Sequence, residues 1–360
     1  MLLCRARLVG LSPFEDVTLP FCDDEGRPRP FTVIHGGAGV GKTTVLGAIA
    51  ATRPGYAVVP PGRPLASAAK GEEQAPPHVI CDWATGQDEP ERPHTLCVAT
   101  PTVRLWHDEQ EEAFRRREQA LYDKRAREGG YVFVALPSTR WFSRQPIGIN
   151  APAQTLARYD VRATITFDDA SRADLGRETK QALAYAEIVG ALSSTNAMPE
   201  LADAESQGLL LGKAMREAVN QLVAVAGFSY RGLHAPSLEP VFSDTAARLV
   251  AFDALPNRVR HLVSFVALPL RALWAAYRGR DPREGEAVVA IDELDLHQDP
   301  ALHPGLVQAL RAALPGVQWV VTTSASAIAG SCDTKDVLAL RRLPERDRIE
   351  LFVGSEARTH

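Results

Sequence analysis

The chain has 360 residues, 45% of them hydrophobic and 23% charged, enough to bury a large core in one large domain or two coupled lobes. A formal net charge of -4 excludes a uniformly basic nucleic-acid binder and leaves only a local patch for such a partner. Five scattered cysteines, Cys4, Cys22, Cys81, Cys97 and Cys332, form no C-x-x-C pair, which argues for reduced thiols and against a disulfide frame or zinc site. The amino terminus lacks a long apolar h-region and no uninterrupted run reaches the ~18 apolar residues of a membrane span, so a soluble cytoplasmic protein without membrane insertion is expected.

Taken in order, "LLCRARLVGLSPFEDVTLPF" alternates apolar and polar residues on both sides of Ser12-Pro13 and predicts a hairpin or a pair of edge strands. "FTVIH" reads as a short β-branched strand that runs into "GGAGVGKTT"; Val45, Leu46, Ile49 and Ala50 then follow at helical spacing until Pro54-Gly55. Residues 54–78 are rich in proline, alanine and glycine and predict a long, partly mobile surface loop. "HVICDW" and "HTLCVATPTVRLW" read as strands. Between Trp106 and Gly129 the chain is acidic at first and basic at the end, the order a helix dipole favours, and Gly129-Gly130 give a stop. That helix is either simply solvated or presents Arg115, Arg116, Arg117, Lys124 and Arg125 to DNA. "YVFVALPSTRWF" predicts another strand ending in Arg140 and Trp141.

From about Ser171 to Ala276 the pattern is helical, with Leu175, Ala182, Ala186 and Val189 on one stripe and Leu211, Met215, Ala218, Leu222 and Val225 on another. These stripes read as core, and neither sustains the heptads of a long coiled-coil arm. Strands return with "AVVAID", "GVQWVVTTS", "DVLALRRL" and "RIELFV". No internal repeat is visible.

Gly36, Gly37, Ala38, Gly39, Val40, Gly41, Lys42 and Thr43 satisfy G-x-x-x-x-G-K-[ST] between a predicted strand and a predicted helix. Glycines let successive N–H groups turn inward onto phosphate oxygens, and the helix starting near Lys42 adds its positive end. Lys42 is expected on the β and γ phosphates of ATP, Thr43 on Mg²⁺, and Thr44 near the α phosphate. Such a loop needs an acidic partner strand, and "VVAIDELDLHQDP" places three carboxylates directly after four apolar residues. A solvated turn would explain like charges so close together, but a cation would also compensate them. We expect Asp292 to serve Mg²⁺ and Glu293 to act as general base, with Asp295 open between the two explanations.

Lys42 and Asp292 lie about 250 positions apart, too far for a compact nucleotide kinase or an ordinary ring-forming module, so an insertion separates them. The "IDELDLHQDP" run resembles the "IDE-x-x-LHLHP" element of ABC-type ATPases of the RecF, SMC and OLD kind, and "GLSPFEDVTLPF" is similar to the opening of the same group. The resemblance covers about residues 1–50 and 245–330. It implies an α/β P-loop NTPase of the ABC-type ATPase-head class with an inserted helical subdomain: an amino-terminal lobe over 1–170, the insertion over 171–276 and a carboxy-terminal lobe over 277–360. It also implies ATP and Mg²⁺ as ligands, a homodimer or a hetero-complex with an effector chain, DNA as a further candidate partner, and a role in DNA repair or antiviral defence. Two departures stand out. The Ser-Gly signature place is taken by Leu255, Pro256, Asn257 and Arg258, where Asn257 or Arg258 substitutes through a side chain or Pro256 and Asn257 merely start a helix. The histidine of "TTHSP", which touches the γ phosphate in the family, becomes Ser324 in "TTSAS", and turnover is expected to be slow. His297 matches a family histidine or is structural. Gln74, Gln87 and Gln145 all compete for the role of the Mg²⁺-reaching glutamine, and Arg140 is a candidate phosphate or partner contact.

Overall fold

The run "AVVAI" is a strand, β10 (Ala287–Ile291), buried at every position. Alternation would be expected of a strand with one wet face; continuous burial means that both faces are covered, as in a parallel sheet. A computed structural model of the protein shows those neighbours and describes residues 1–52, 77–85, 95–100, 109–128, 131–147, 174–194, 202–277, 279–343 and 348–357. β10 pairs in parallel with β6 (Phe133–Leu136) on one side and β11 (Val317–Thr323) on the other. β11 continues to β3 (Phe31–His35), β3 to β12 (Val337–Leu343), and the antiparallel β13 (Arg348–Val353) ends the six-stranded sheet.

The two faces separate two cores. Val289, Ile291, Trp319 and Val321 face a cluster shared with the helices α3 (Gly176–Ser193), α4 (Ala202–Val223), α5 (Asn257–Ala276) and α6 (His303–Ala313). Val288, Ala290 and Val320 face the other cluster, built on α1 (Lys42–Ala51) and an antiparallel sheet in the order β2 (Phe14–Pro20), β1 (Leu2–Leu11), β4 (His78–Ala84), β5 (Leu96–Ala99). Gln318 crosses between sheets: its side-chain amide donates to Leu3 O at 2.8 Å and its carbonyl accepts from Leu3 N at 2.7 Å. A buried polar group is thereby satisfied where β1 and β4 slip register.

The expected hairpin is β1–β2, and the expected helix between Trp106 and Gly129 is α2 (Glu109–Glu128), in which Tyr122 and Glu118 are buried while Arg116, Arg117 and Lys124 are exposed. Residues 54–76 of the predicted surface loop lie outside the described residues, as do Gln74 and Gln87. Two expectations need correction. The stretch 171–276 is not helical throughout, since β7 (Ser229–Leu233), β8 (Pro240–Ser243) and β9 (Leu249–Ala251) form a three-stranded antiparallel sheet within it. Gly227, at φ 77°, turns the chain out of the preceding helical segment, and strands this short give too few alternations to stand out against helical flanks. The strand ending at Arg140 stops at Leu136 instead, and the Asp292 carbonyl that would continue the parallel ladder accepts from Arg140 Nη1.

α5 is the one helix among the described residues that is long and apolar enough to cross a membrane, although uninterrupted runs do not reveal it. Its Leu262, Val263, Phe265 and Val266 are fully buried against α3, α4 and the sheet, the setting of a core helix.

Candidate nucleotide site

The parallel strands finish level with one another: Ile291 lies opposite Leu136 and Val321, and His35 lies opposite Thr323. Everything that leaves their carboxyl ends therefore converges, which is where open α/β sheets place ligands. From β3 comes the glycine loop. Gly39 and Gly41 sit at φ 75° and 90°, and a Cβ on Gly36 would stand 2.5 Å from Leu340 O. These positions demand glycine. Gly37, Ala38 and Gly39 are exposed, Val40 packs inward, and α1 starts at Lys42. The loop thus presents an accessible run of backbone followed by a helix N-terminus. Lys42 is 9% exposed, and its ammonium donates to Gly36 O and Gly37 O, both at 2.7 Å, so its charge is held inside the curl of the loop.

From β10 comes Asp292, fully buried. Its Oδ2 accepts from the Thr43 hydroxyl at 2.9 Å and its Oδ1 from the Thr322 hydroxyl at 2.6 Å. A buried carboxylate is tolerable only when its oxygens are paired, and among the described residues two hydroxyls and no cationic side chain hydrogen-bond to it. A hard divalent cation takes oxygen donors of this kind, so Thr43 and Asp292 fit Mg²⁺ as a donor pair. Glu293 follows directly, exposed and at φ 49°, in the left-handed region. For a non-glycine residue that conformation costs of order 1–3 kcal/mol and persists only where its surroundings hold it. Thr322 is one such restraint: its Oγ1 accepts from Glu293 N at 2.7 Å. Asp295 is half-buried and accepts from Thr323 Oγ1 at 2.5 Å and from Ser324 Oγ at 3.2 Å, which ties the acidic turn to the end of β11.

Arg140 turns away from solvent. It is 4% exposed and reaches the site from below: Nη1 donates to Pro137 O at 2.9 Å and to Asp292 O at 2.5 Å, Nη2 to Glu293 O at 2.7 Å, and Nε to His261 Nδ1 at 3.2 Å. Burial pulls its guanidinium down to about 10, against the opposing pull of Asp292, Glu293 and Asp295. Burial likewise drives the His261 imidazole down to about 2, with the Arg140 charge adding to it. His35, beside the glycine loop, is lowered as well, first by burial and next to Lys42.

The structure therefore brings together Gly36 through Thr43, Asp292, Glu293, Asp295 and Ser324. Ser324 is exposed and engaged with Asp295. At the signature place α5 begins at Asn257 after Pro256 with no side-chain cap; Asn257 Oδ1 instead accepts from Arg260 Nη2. His297 is exposed, at φ 62°, with its ring 5.1 Å edge-on from that of His261. Gln145 lies on the exposed segment after Trp141. Sequence reasoning missed Thr322, Thr323 and His261. The two threonines that close the strand "VQWVVTT" were a signal for the first two, whereas a histidine within an apolar helical stripe gave none.

No protein-family model and no curated protein matches the chain. Among solved structures it is similar to an SMC head bound to the C-winged helix domain of ScpA, with 12% identity, a TM-score of 0.53 and 98% of each chain covered. It is also similar to an SMC head with an extended coiled coil bound to the C-terminal domain of ScpA derived from Pyrococcus furiosus, with 14% identity, a TM-score of 0.52 and coverage of 98% of this chain and 96% of that one. The fold is that of an ABC-type P-loop NTPase head, as the glycine loop and the acidic strand had implied.

Proposed function

We propose that this chain binds ATP with Mg²⁺, hydrolyses it, and couples its nucleotide state to dimerisation or to engagement of a partner. The observation that carries the reading is the contact between Thr43 and Asp292, a hydroxyl and a buried carboxylate brought to the mouth of an accessible glycine loop. When bound, Mg²⁺ would neutralise phosphate charge there. The exposed loop amides and the α1 N-terminus orient the phosphates, and Lys42 brings a positive charge that its carbonyl partners can release. Glu293, held open to solvent beside that donor pair, is the group placed to take a proton from water. The segment 171–276 is the insertion that separates the two halves of the site, and partners are expected on it, including the α5 N-terminus at the signature place. A homodimer or an effector chain fits this arrangement, since the similar SMC heads were solved bound to a ScpA domain. A cytoplasmic role in DNA maintenance or anti-phage defence, with DNA as a candidate ligand, rests on the resemblance of the "IDELDLHQDP" run to the element of ATPases of the RecF, SMC and OLD kind.

A second reading has its own observation. Ser324 stands where the related motif carries a histidine, and its hydroxyl is already committed to Asp295. A serine brings no positive charge to a γ phosphate, so the chain would then be a scaffold that assembles on ATP and turns it over little. Steady-state hydrolysis of wild type and Glu293→Gln, with and without DNA, while mass is followed in solution, separates the two. Turnover that disappears in the variant supports the enzyme. ATP-dependent assembly without turnover in either protein supports the scaffold.

A further inference from the structure

The acidic turn after β10 has an unusual conformation, and besides Thr322, Thr323 and Ser324 at the end of β11 two further residues outside the turn hold it. Arg140 sits on the loop after β6 and spends four donor contacts on four neutral acceptors, two of them the consecutive carbonyls of Asp292 and Glu293. Both carbonyls point into one guanidinium, which fixes the peptide plane between the buried carboxylate and the exposed one. Only arginine offers a rigid fork of this reach; a lysine ammonium would satisfy one carbonyl at a time. The guanidinium also lies 5.2 Å from the Phe265 ring, so the same side chain is packed against α5.

His261 extends the link. Its Nδ1 accepts from Arg140, which places its proton on Nε2, and a backbone hydrogen bond to Leu296 engages the ring on the far side of the turn. Gln298 adds a donor contact to Arg258 O at 3.4 Å. The turn from Asp292 to Gln298 is thus suspended between the β6 exit loop and the first turns of α5, the helix whose N-terminus stands at the signature place.

We infer that Arg140 is a positioning residue for Glu293: it clamps the Asp292–Glu293 backbone and, through His261, makes the placement of that carboxylate depend on the position of α5. The inference rests on the ATPase reading for its consequence, but its geometry does not. A partner that shifts the α5 N-terminus would move His261, then Arg140, then the carbonyls on either side of the Glu293 peptide. Arg140 and His261 are buried, and the Arg140 donors are spent on backbone carbonyls and on the imidazole, so the effect is expected on turnover and not on affinity.

The test compares wild type with Arg140→Lys, Arg140→Gln and His261→Gln, using three readouts: affinity for a fluorescent ATP analogue with Mg²⁺, the separate kcat and KM of hydrolysis, and amide hydrogen exchange over residues 287–298 against that of β3. Arg140→Gln should lower kcat by roughly 10- to 100-fold with KM and analogue affinity within about twofold, the signature of a misplaced group that binding does not use. Exchange should accelerate locally in the acidic turn, and Arg140→Lys should recover part of both effects. His261→Gln keeps an acceptor and should be milder than Arg140→Gln. Unchanged exchange in the turn together with wild-type kcat overturns the inference, and so does acceleration spread evenly through β3, which would mark a general loss of folding. If wild type binds the analogue yet hydrolyses nothing, the ATPase reading alone fails. The exchange comparison then decides Arg140 by itself, supporting the clamp if acceleration is confined to the turn and overturning it if there is none.

Discussion

The Thr43 hydroxyl donates to Asp292 Oδ2 across 2.9 Å, joining residues 249 positions apart in the chain. The glycine loop and the acidic strand are thereby halves of one site, closed by the parallel pairing of β3, β11 and β10. Asp292→Asn keeps the shape of the side chain and removes the charge that a cation needs. Tenfold or greater loss of Mg²⁺-dependent affinity for an ATP analogue is expected, an effect of about 1.4 kcal/mol or more. A titration with and without Mg²⁺ measures it; an unchanged Mg²⁺ dependence would remove Asp292 from the cation site.

Gly36 and Gly37 are neighbours with opposite prospects. A Cβ on Gly36 would meet Leu340 O at 2.5 Å and Val40 Cγ2 at 2.8 Å, whereas a Cβ on Gly37 would meet nothing within 4 Å. Gly36→Ala should therefore destabilise the fold by about 1–3 kcal/mol, and Gly37→Ala by no more than about 0.5 kcal/mol. Urea midpoints of the two variants check the contrast, and equal midpoints would contradict the close approach of β12 to the loop.

His261 gives the pH dependence a sign. It stays neutral in the fold down to about 2, whereas its ordinary value is 6.5, so below 6.5 the unfolded chain binds a proton that the folded chain refuses. Its contribution is present above 6.5 and is lost as the pH falls toward 2, at about 1.4 kcal/mol per unit. Stability of wild type minus that of His261→Gln, measured by denaturation between pH 7 and 5, should shrink as the pH drops. A constant difference would mean that His261 accepts its proton in the folded state.

α3 and α4 approach each other through glycines: a Cβ on Gly212 would lie 3.1 Å from Ala186 O and 3.2 Å from Gly190 Cα. Gly212→Leu should force the pair apart at a cost of about 1–3 kcal/mol while leaving nucleotide affinity untouched, because the contact is remote from the strand ends. Thermal unfolding and analogue binding on the same sample read both. Loss of binding would tie this helix pair to the site.

How much was legible beforehand varies by residue. Gly36 to Thr43 could be read because a glycine loop is local: its function depends on backbone conformations set by adjacent residues. Asp292 and Glu293 could be singled out because carboxylates follow an apolar strand abruptly beside a phosphate-loop motif that needs an acidic partner strand. The strands β7 to β9 could not, since three to five residues carry too little periodicity to compete with the helices around them. Arg140 was visible only as a charge after a strand, and its chemical meaning reversed on folding: the same guanidinium that reads as a phosphate contact in the sequence is buried against carbonyls.

The sequence by itself determined the short-range chemistry, namely the phosphate loop, the acidic strand end, the hairpin opening and the helical stripes that form the core, because each is written in residues within one or two turns of one another. Only the tertiary structure decided what those parts meet. The parallel register brings Thr43 to Asp292, the end of β11 supplies Thr322 to both Asp292 and Glu293, and the loop after β6 and α5 supply Arg140 and His261 beneath them. Those relations span 29 to 249 positions, and no local pattern encodes them, because they follow from which strands lie side by side and where their ends fall level.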